Sequence, residues 1–208
     1  MHTEAANHLA RIDPVLRRLI REIGPCTLSP DRGRSPFESL VRAVAHQQLH
    51  GAAATTILRR FQALFATGRR FPRPEELAAV TDEALRGCGF SRAKTAALRD
   101  IAEKTLAGVV PASRQIRRLP DDEIVARLTE VRGVGRWTVE MLLIFKLGRP
   151  DVLPVDDFGV RHGFRVAHGL EEMPTPKELL AHGERWRPHR TVAAWYLWRA
   201  ADRDKAKD

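Results

Sequence analysis

Two adjacent carboxylates, Asp156 and Asp157, follow a loop rich in Gly and Pro (Gly148-Arg149-Pro150-Asp151) and precede Phe158. Asp is a strong N-cap, so one member of the pair starts the next helix and the other is left to face elsewhere, where a carboxylate can steady positive charge or orient a water. Residue types alone leave open which of the two does which. Upstream, Val131-Arg132-Gly133-Val134-Gly135 places two glycines in one short turn. Glycine permits positive φ and close backbone approach, so such a turn can point amide N–H groups outward and grip a phosphate. The residues Trp137 to Phe145 contain no breaker and predict a largely buried helix, with its N-terminus toward the turn and its dipole favouring the same anion.

The elements that must position these groups read as helices throughout. Asp13-Pro14 starts one, with Val15, Leu16, Leu19, Ile20 and Ile23 at helical spacing before Gly24-Pro25. Ser35-Pro36-Phe37-Glu38 supplies an N-cap, a Pro at the first helical position and an acid in the first turn. That helix runs to Gln47-Gln48-Leu49-His50, a polar tip, and another resumes at Ala52 and continues to about Ala66. Short helices follow over Glu75 to Val80 and after Thr81, then Gly87-Cys88-Gly89-Phe90 and a helix from Ser91 carrying Arg92 and Lys94 in its first turns. These two cations suit either a phosphate contact or a solvated helix face. Ile124 to Glu130 leads into the glycine turn, Lys177 to Trp186 forms a capped helix, and a last helix carries Val192, Trp195 and Trp198 before a polar tail, Ala201 to Asp208, that frays. No convincing alternating strand occurs, so the class is all-α.

Composition narrows the partner. Among 208 residues, 35 Lys and Arg exceed 26 Asp and Glu, giving +9 and a pI near 10.5, which favours a polyanion and nucleic acid first. Two cysteines, Cys26 and Cys88, are too few for a disulfide framework, and no Cys/His spacing suits zinc. The start lacks a signal peptide, and no apolar run approaches the roughly 18 residues needed to span a membrane. A soluble cytoplasmic protein is expected, nucleoid-associated in a bacterial cell.

The order of helix, Gly-Val-Gly turn, helix, Gly/Pro loop and Asp resembles the helix-hairpin-helix DNA glycosylase superfamily. Arg136-Trp137-Thr138 and the Asp156-Asp157 pair look most like its alkylation-repair branch, 3-methyladenine DNA glycosylase II. Leu85-x-x-Cys88-Gly89-Phe90-Ser91-x-x-Lys94 matches a family segment as well, and the likeness spans roughly Ser35 to Arg199. It implies one all-α glycosylase unit over residues 1–208, two helical lobes flanking a cleft, without the N-terminal β domain of larger relatives. The hairpin would occupy about 124–146 and the catalytic Asp loop and helix about 148–169.

By that resemblance Asp157 is the catalytic carboxylate, and Trp137, Trp198, Phe158 and Met141 line the base pocket. Gln48 is the plug that fills the gap left by an everted nucleotide, with Leu49 and His50 beside it in the minor groove. Arg132, Gly133, Val134 and Gly135 bind backbone phosphate, and the carbonyls of Thr129, Val131 and Val134 hold a monovalent cation, Na⁺ or K⁺; no other cofactor is expected. Relatives that also nick the strand use a Lys early in the helix after the hairpin. Trp137 stands there in this chain, which implies a monofunctional enzyme acting as a monomer on double-stranded DNA with alkylated bases. It would release 3-methyladenine or 7-methylguanine and leave an abasic site. Two rivals remain: a non-catalytic helix-hairpin-helix clamp, which needs no carboxylate near the sugar, and a glycosylase for deaminated or ethenoadenine bases.

Overall fold

Short polar side chains decide where the helices begin. Ser35 Oγ accepts the Glu38 amide at 3.1 Å, Thr81 Oγ1 that of Ala84 at 3.3 Å and Ser91 Oγ that of Lys94 at 3.3 Å. Thr175 closes a capping box with Glu178 ahead of Pro176. The computed structural model describes residues 2–49, 51–65 and 70–206. In order these form α1 (Thr3–Ile12), α2 (Pro14–Ile23), α3 (Pro36–His46), α4 (Gly51–Ala63), α5 (Pro74–Ala79), α6 (Asp82–Gly87) and α7 (Arg92–Leu106). Then come α8 (Ser113–Ile116), α9 (Asp121–Thr129), α10 (Arg136–Leu142), a π-helical turn (Leu143–Leu147), α11 (Phe158–His168), α12 (Pro176–Gly183), a short 3-10 turn (Glu184–Trp186) and α13 (Arg190–Lys205). No strand occurs among the described residues, in line with the all-α class, and none of the helices there is long and apolar enough to cross a membrane.

The chain divides into two compact units, Asp31–Leu142 and Met1–Pro30 with Leu143–Asp208. In the first, Leu40, Val41 and Val44 of α3, Phe61 of α4, Leu98 and Ile101 of α7, Ile124 and Leu128 of α9 and Val139 of α10 are wholly buried. Each such side chain removed from water contributes about 1.5–3 kcal/mol. Phe61 meets the edges or tilted faces of Phe65, Phe71 and Phe90. This core fixes the hairpin helices α9 and α10 from below.

The second unit is built on the crossing of α11 and α13. A Cβ on Gly163 would run into the backbone carbonyl of Leu197, so only glycine lets the helices approach this closely. Trp186 and Tyr196 are wholly buried. Tyr196 donates its hydroxyl to the Gly24 carbonyl at 3.0 Å, and burial pushes that phenol up to about 12. Asp13 caps α2 through the amides of Val15 and Leu16 and also accepts Trp186 Nε1–H at 2.8 Å.

Two local expectations need correction, one helix was missed and one expected helix end falls outside the described residues. Helix α1 is not anticipated by the sequence reading, yet it buries Ala5, Ala6 and Leu9. The last helix does not fray at Ala201: it runs to Lys205, held there by the burial of Ala200 and Ala201. The helix expected from Trp137 to Phe145 ends as a regular α-helix at Leu142 and widens into the π turn; it is largely buried, as expected, with Trp137 and Phe145 exposed at its two ends. Helix α4 closes at Ala63, while the end expected near Ala66 lies outside the described residues.

Candidate functional site

The carboxylate pair is resolved by burial. Asp156 is exposed, whereas Asp157 is 9% exposed and serves as the N-cap of α11, its Oδ1 accepting the Val160 amide at 2.8 Å. The division of labour expected from the residues, one Asp capping and the other the candidate for chemistry, is therefore not what the structure has: the family-matched residue is the cap itself. The same Oδ1 accepts a second bond, from Trp198 Nε1–H of α13 at 2.8 Å. The Val160 amide and the Trp198 indole hold the group in one orientation at the N-terminus of α11.

Small residues make this bond possible. Gly159 sits beneath the indole, and a Cβ there would come within 2.9 Å of Trp198 Cδ1; four residues on, Gly163 admits the α13 backbone. The opposite face of the arrangement is aromatic, with Phe145 of the π turn stacked on Trp198 at 5.5 Å between centroids and 29° between planes. Such π turns occur frequently at functional sites, and here the widened turn presents Phe145. Phe158 is 59% exposed and lies parallel to His162 at 5.6 Å, while His162 Nε2 reaches Asp204 at 3.2 Å.

The loop before the cap is pinned to the start of α13. Arg190 pairs with Asp151 in a two-pronged contact, Nε to Oδ1 at 2.7 Å and Nη2 to Oδ2 at 3.0 Å. Thr191 Oγ1 accepts the Val152 amide at 2.9 Å and donates to the Arg149 carbonyl at 2.7 Å. Burial works against ionisation of Asp151, but the hydrogen bonds from Arg190 outweigh it and hold the carboxyl below its usual range. Asp157 thus stands on a fixed loop between two packed helices.

The hairpin lies in the other unit. Gly133 has φ 77, the left-handed conformation that the turn needs, and Gly135 does not share it. The four residues assigned to phosphate differ in what their amides do. The Arg132 amide donates to Asp100 Oδ2 at 2.7 Å and that of Val134 to the Val131 carbonyl at 3.0 Å. The Arg132 amide is therefore taken up by α7 and the Val134 amide by the turn itself, so neither is turned outward. The amides of exposed Gly133 and Gly135 have no acceptor among the described residues, and the Arg132 side chain is exposed. Next to the turn, Trp137 is exposed, Met141 is half-buried, and Arg136 Nε pairs with buried Glu140 at 3.0 Å.

Beside the hairpin stands the tip between α3 and α4. Gln48 has φ 55, a left-handed conformation uncommon for a side chain with a Cβ, and both Gln48 and Leu49 are exposed. His50 lies outside the described residues. Gln47 Nε2 donates to the Gly133 carbonyl at 2.9 Å, which joins the tip to the turn. Lys94 answers neither role expected of it. Its ammonium faces inward, donating to the carbonyls of Ala45 and Gln47 at 2.9 and 2.7 Å.

The structure therefore gathers Asp157, Phe158 and Trp198 in one unit and Gln48, Leu49, Arg132 to Gly135, Trp137 and Met141 in the other. Sequence reasoning missed Phe145, Gly159, Gly163, Asp151 and Arg190. The only signal in the chain was the Gly159-x-x-x-Gly163 spacing on one face of α11.

Comparison with known proteins points one way. The family described as HhH-GPD superfamily base excision DNA repair protein matches residues 41–188. DNA-3-methyladenine glycosylase 1 of Schizosaccharomyces pombe is 45% identical over 202 residues, 96% of this chain and 87% of that protein. The solved structure of the S. pombe 3-methyladenine DNA glycosylase in complex with abasic DNA gives a TM-score of 0.84 at 45% identity, covering 95% of this chain and 96% of that one. A DNA-3-methyladenine glycosidase from Bacillus halodurans gives 0.87 at 35% identity, over 99% and 92% of the two chains.

Proposed function

For a chain that belongs to the HhH-GPD superfamily of base excision DNA repair proteins, we propose cleavage of the N-glycosidic bond of alkylated purines, 3-methyladenine and 7-methylguanine, in double-stranded DNA. The observation that carries this reading is the Asp157 carboxylate, fixed at the N-terminus of α11 by the Val160 amide and the Trp198 indole. A bare phosphate clamp has no need of such a group.

A base within a duplex must be everted before it can react, at a cost of a few kcal/mol for unstacking and unpairing. Gln48 and Leu49, exposed on a tip held in a left-handed turn, fill the space that the nucleotide leaves. The amides of Gly133 and Gly135 and the Arg132 guanidinium hold the backbone. The carbonyls of Thr129, Val131 and Val134 are neutral hard oxygens on one turn, and Val131 spends a single lone pair on Val134; they suit a monovalent cation, which would add positive charge near the phosphate. The electron-rich Phe145–Trp198 stack, in the same unit as Asp157, attracts a cationic purine by on the order of 1–2 kcal/mol when desolvated.

An N-alkylated purine already carries positive charge and leaves with the bonding electron pair, building an oxocarbenium-like centre at C1′. The Asp157 carboxylate stabilises that charge, water adds to C1′ and its proton passes to solvent. Trp137 stands where a strand-nicking relative would need a Lys, so no Schiff base forms and the product is an abasic site.

A panel of duplexes tests the substrate class. Release of 7-methylguanine and 3-methyladenine well above hypoxanthine and ethenoadenine supports it, and the reverse ranking replaces it with a glycosylase for neutral lesions.

A further inference from the structure

The C-terminus of α3 leaves carbonyls that need donors, and the tip that follows is strained at Gln48. The Gln47 amide takes the Ala43 carbonyl and the Leu49 amide takes that of His46. Two more carbonyls, Ala45 and Gln47, converge on Lys94 Nζ at 2.9 and 2.7 Å. A cation at a helix C-terminus is favoured by the dipole, and a charged donor holds a carbonyl more firmly than a neutral one. Burial pushes the Lys94 ammonium below the ordinary lysine value, consistent with a group turned away from solvent.

Helix α7, which carries Lys94, also reaches the glycine turn. Three residues along from Lys94, Ala97 lies beneath Gly133, where an added Cβ would meet the Ala97 Cβ at 3.2 Å. Three residues further, Asp100 Oδ2 accepts the Arg132 amide at 2.7 Å. Residues three apart are neighbours on a helix surface, so one side of α7 bears both the tip and the turn. Gln47 closes the circuit, its backbone carbonyl on Lys94 and its side-chain amide on the Gly133 carbonyl.

We propose that Lys94 and Gln47 are positioning residues that lock the Gln48 tip to the phosphate-gripping turn, so that backbone grip and insertion into the duplex occur in one register. Both side chains are engaged by backbone carbonyls of the protein itself. Lys94 holds the strained backbone from which Gln48 projects, and Gln47 sets its distance from Gly133. The proposal rests on the reading of Gln48 as the group that fills the vacated space. Loss of the lock does not weaken nonspecific binding, because the Gly133 and Gly135 amides and the Arg132 guanidinium remain. It weakens insertion, which matters only where a partner strand must be held apart.

The test compares release of 7-methylguanine from duplex and from single-stranded DNA under single-turnover conditions, for wild type, Lys94→Met, Gln47→Leu, Gln48→Ala and the Lys94→Met/Gln48→Ala pair. Lys94→Met and Gln47→Leu should each slow duplex release by about tenfold or more while single-strand release and affinity for undamaged duplex stay within about twofold. In the double variant the two losses should be less than additive, since both act on one tip. Equal slowing on both substrates, or full additivity, overturns the lock and leaves Lys94 a stabilising cap. If Gln48→Ala itself spares duplex release, the plug reading fails and takes the lock with it. If Gln48→Ala is duplex-selective and the two positioning variants are not, the lock alone fails. Gln47→Leu keeps the Lys94 contacts, so it decides the matter even where Lys94→Met folds poorly.

Discussion

Replacing Asp157 by Asn removes a charge while leaving an oxygen for the two hydrogen bonds that fix the carboxylate at the start of α11. An Asn side-chain oxygen can still accept the Val160 amide and the Trp198 indole N–H, each at 2.8 Å in the native chain, and Asn is as good an N-cap as Asp. Folding stability should therefore change little. The rate should not survive, because a unit negative charge about 4 Å from a developing cation is worth roughly 4 kcal/mol at an effective dielectric of about 20, or about a thousandfold in rate. Asp157→Ala separates the two roles. It loses the cap, about 1 kcal/mol, and strands the indole donor at a cost of about 1–2 kcal/mol more, which lowers Tm by roughly 4–12 °C. Base release from a 7-methylguanine duplex under single-turnover conditions, alongside thermal denaturation of both variants, checks this. A near-normal rate in Asp157→Asn, with Asp156→Asn inactive, would refute the assignment and move the chemistry to the exposed neighbour.

Gly163→Ala places a Cβ against the Leu197 carbonyl, and because the obstruction is backbone the cost should reach the upper part of the usual overpacking range of about 1–3 kcal/mol. Thermal denaturation should show the loss, and base release should fall with it as α13 carries Trp198 away from Asp157; an unchanged Tm and rate would show that the crossing is looser than it looks. Asp13 predicts an acid-sensitive fold. Its burial opposes ionisation, but the His182, Trp186, Leu16 and Val15 donors outweigh it and hold the carboxyl far below its ordinary 3.8. A depressed folded value adds stability that is full above the ordinary value and is lost as pH falls below it. Denaturant titrations between about pH 5 and pH 2.5 should show a shallower loss in Asp13→Asn than in wild type; equal slopes would contradict the linkage.

Where one residue type fixes a local conformation, the chain could be read directly. Asp13-Pro14, Ser35-Pro36, Thr81, Ser91 and Thr175-Pro176 all start helices as their chemistry predicts, and the glycine turn at Gly133 is present. Helix α1 escaped because its apolar residues are few and small, and its packing partners lie elsewhere in the chain. The carboxylate pair shows the limit most clearly. Either Asp could cap, and the choice is made by Trp198, 41 residues away, whose indole also takes the cap oxygen. Lys94 likewise reads as a surface cation until the carbonyls of Ala45 and Gln47, 49 and 47 residues off, are brought to it. Propensity sets the elements, while these long-range bonds set what the side chains are for.

The most direct measurement incubates the wild-type protein with a duplex holding a single 7-methylguanine, then assays free base and strand integrity before and after hot alkali. Free 7-methylguanine, an intact strand without alkali and a break at the lesion after it are the predicted products. Tight binding of the duplex with no base released, or a nicked strand before alkali, would contradict a monofunctional alkylpurine glycosylase.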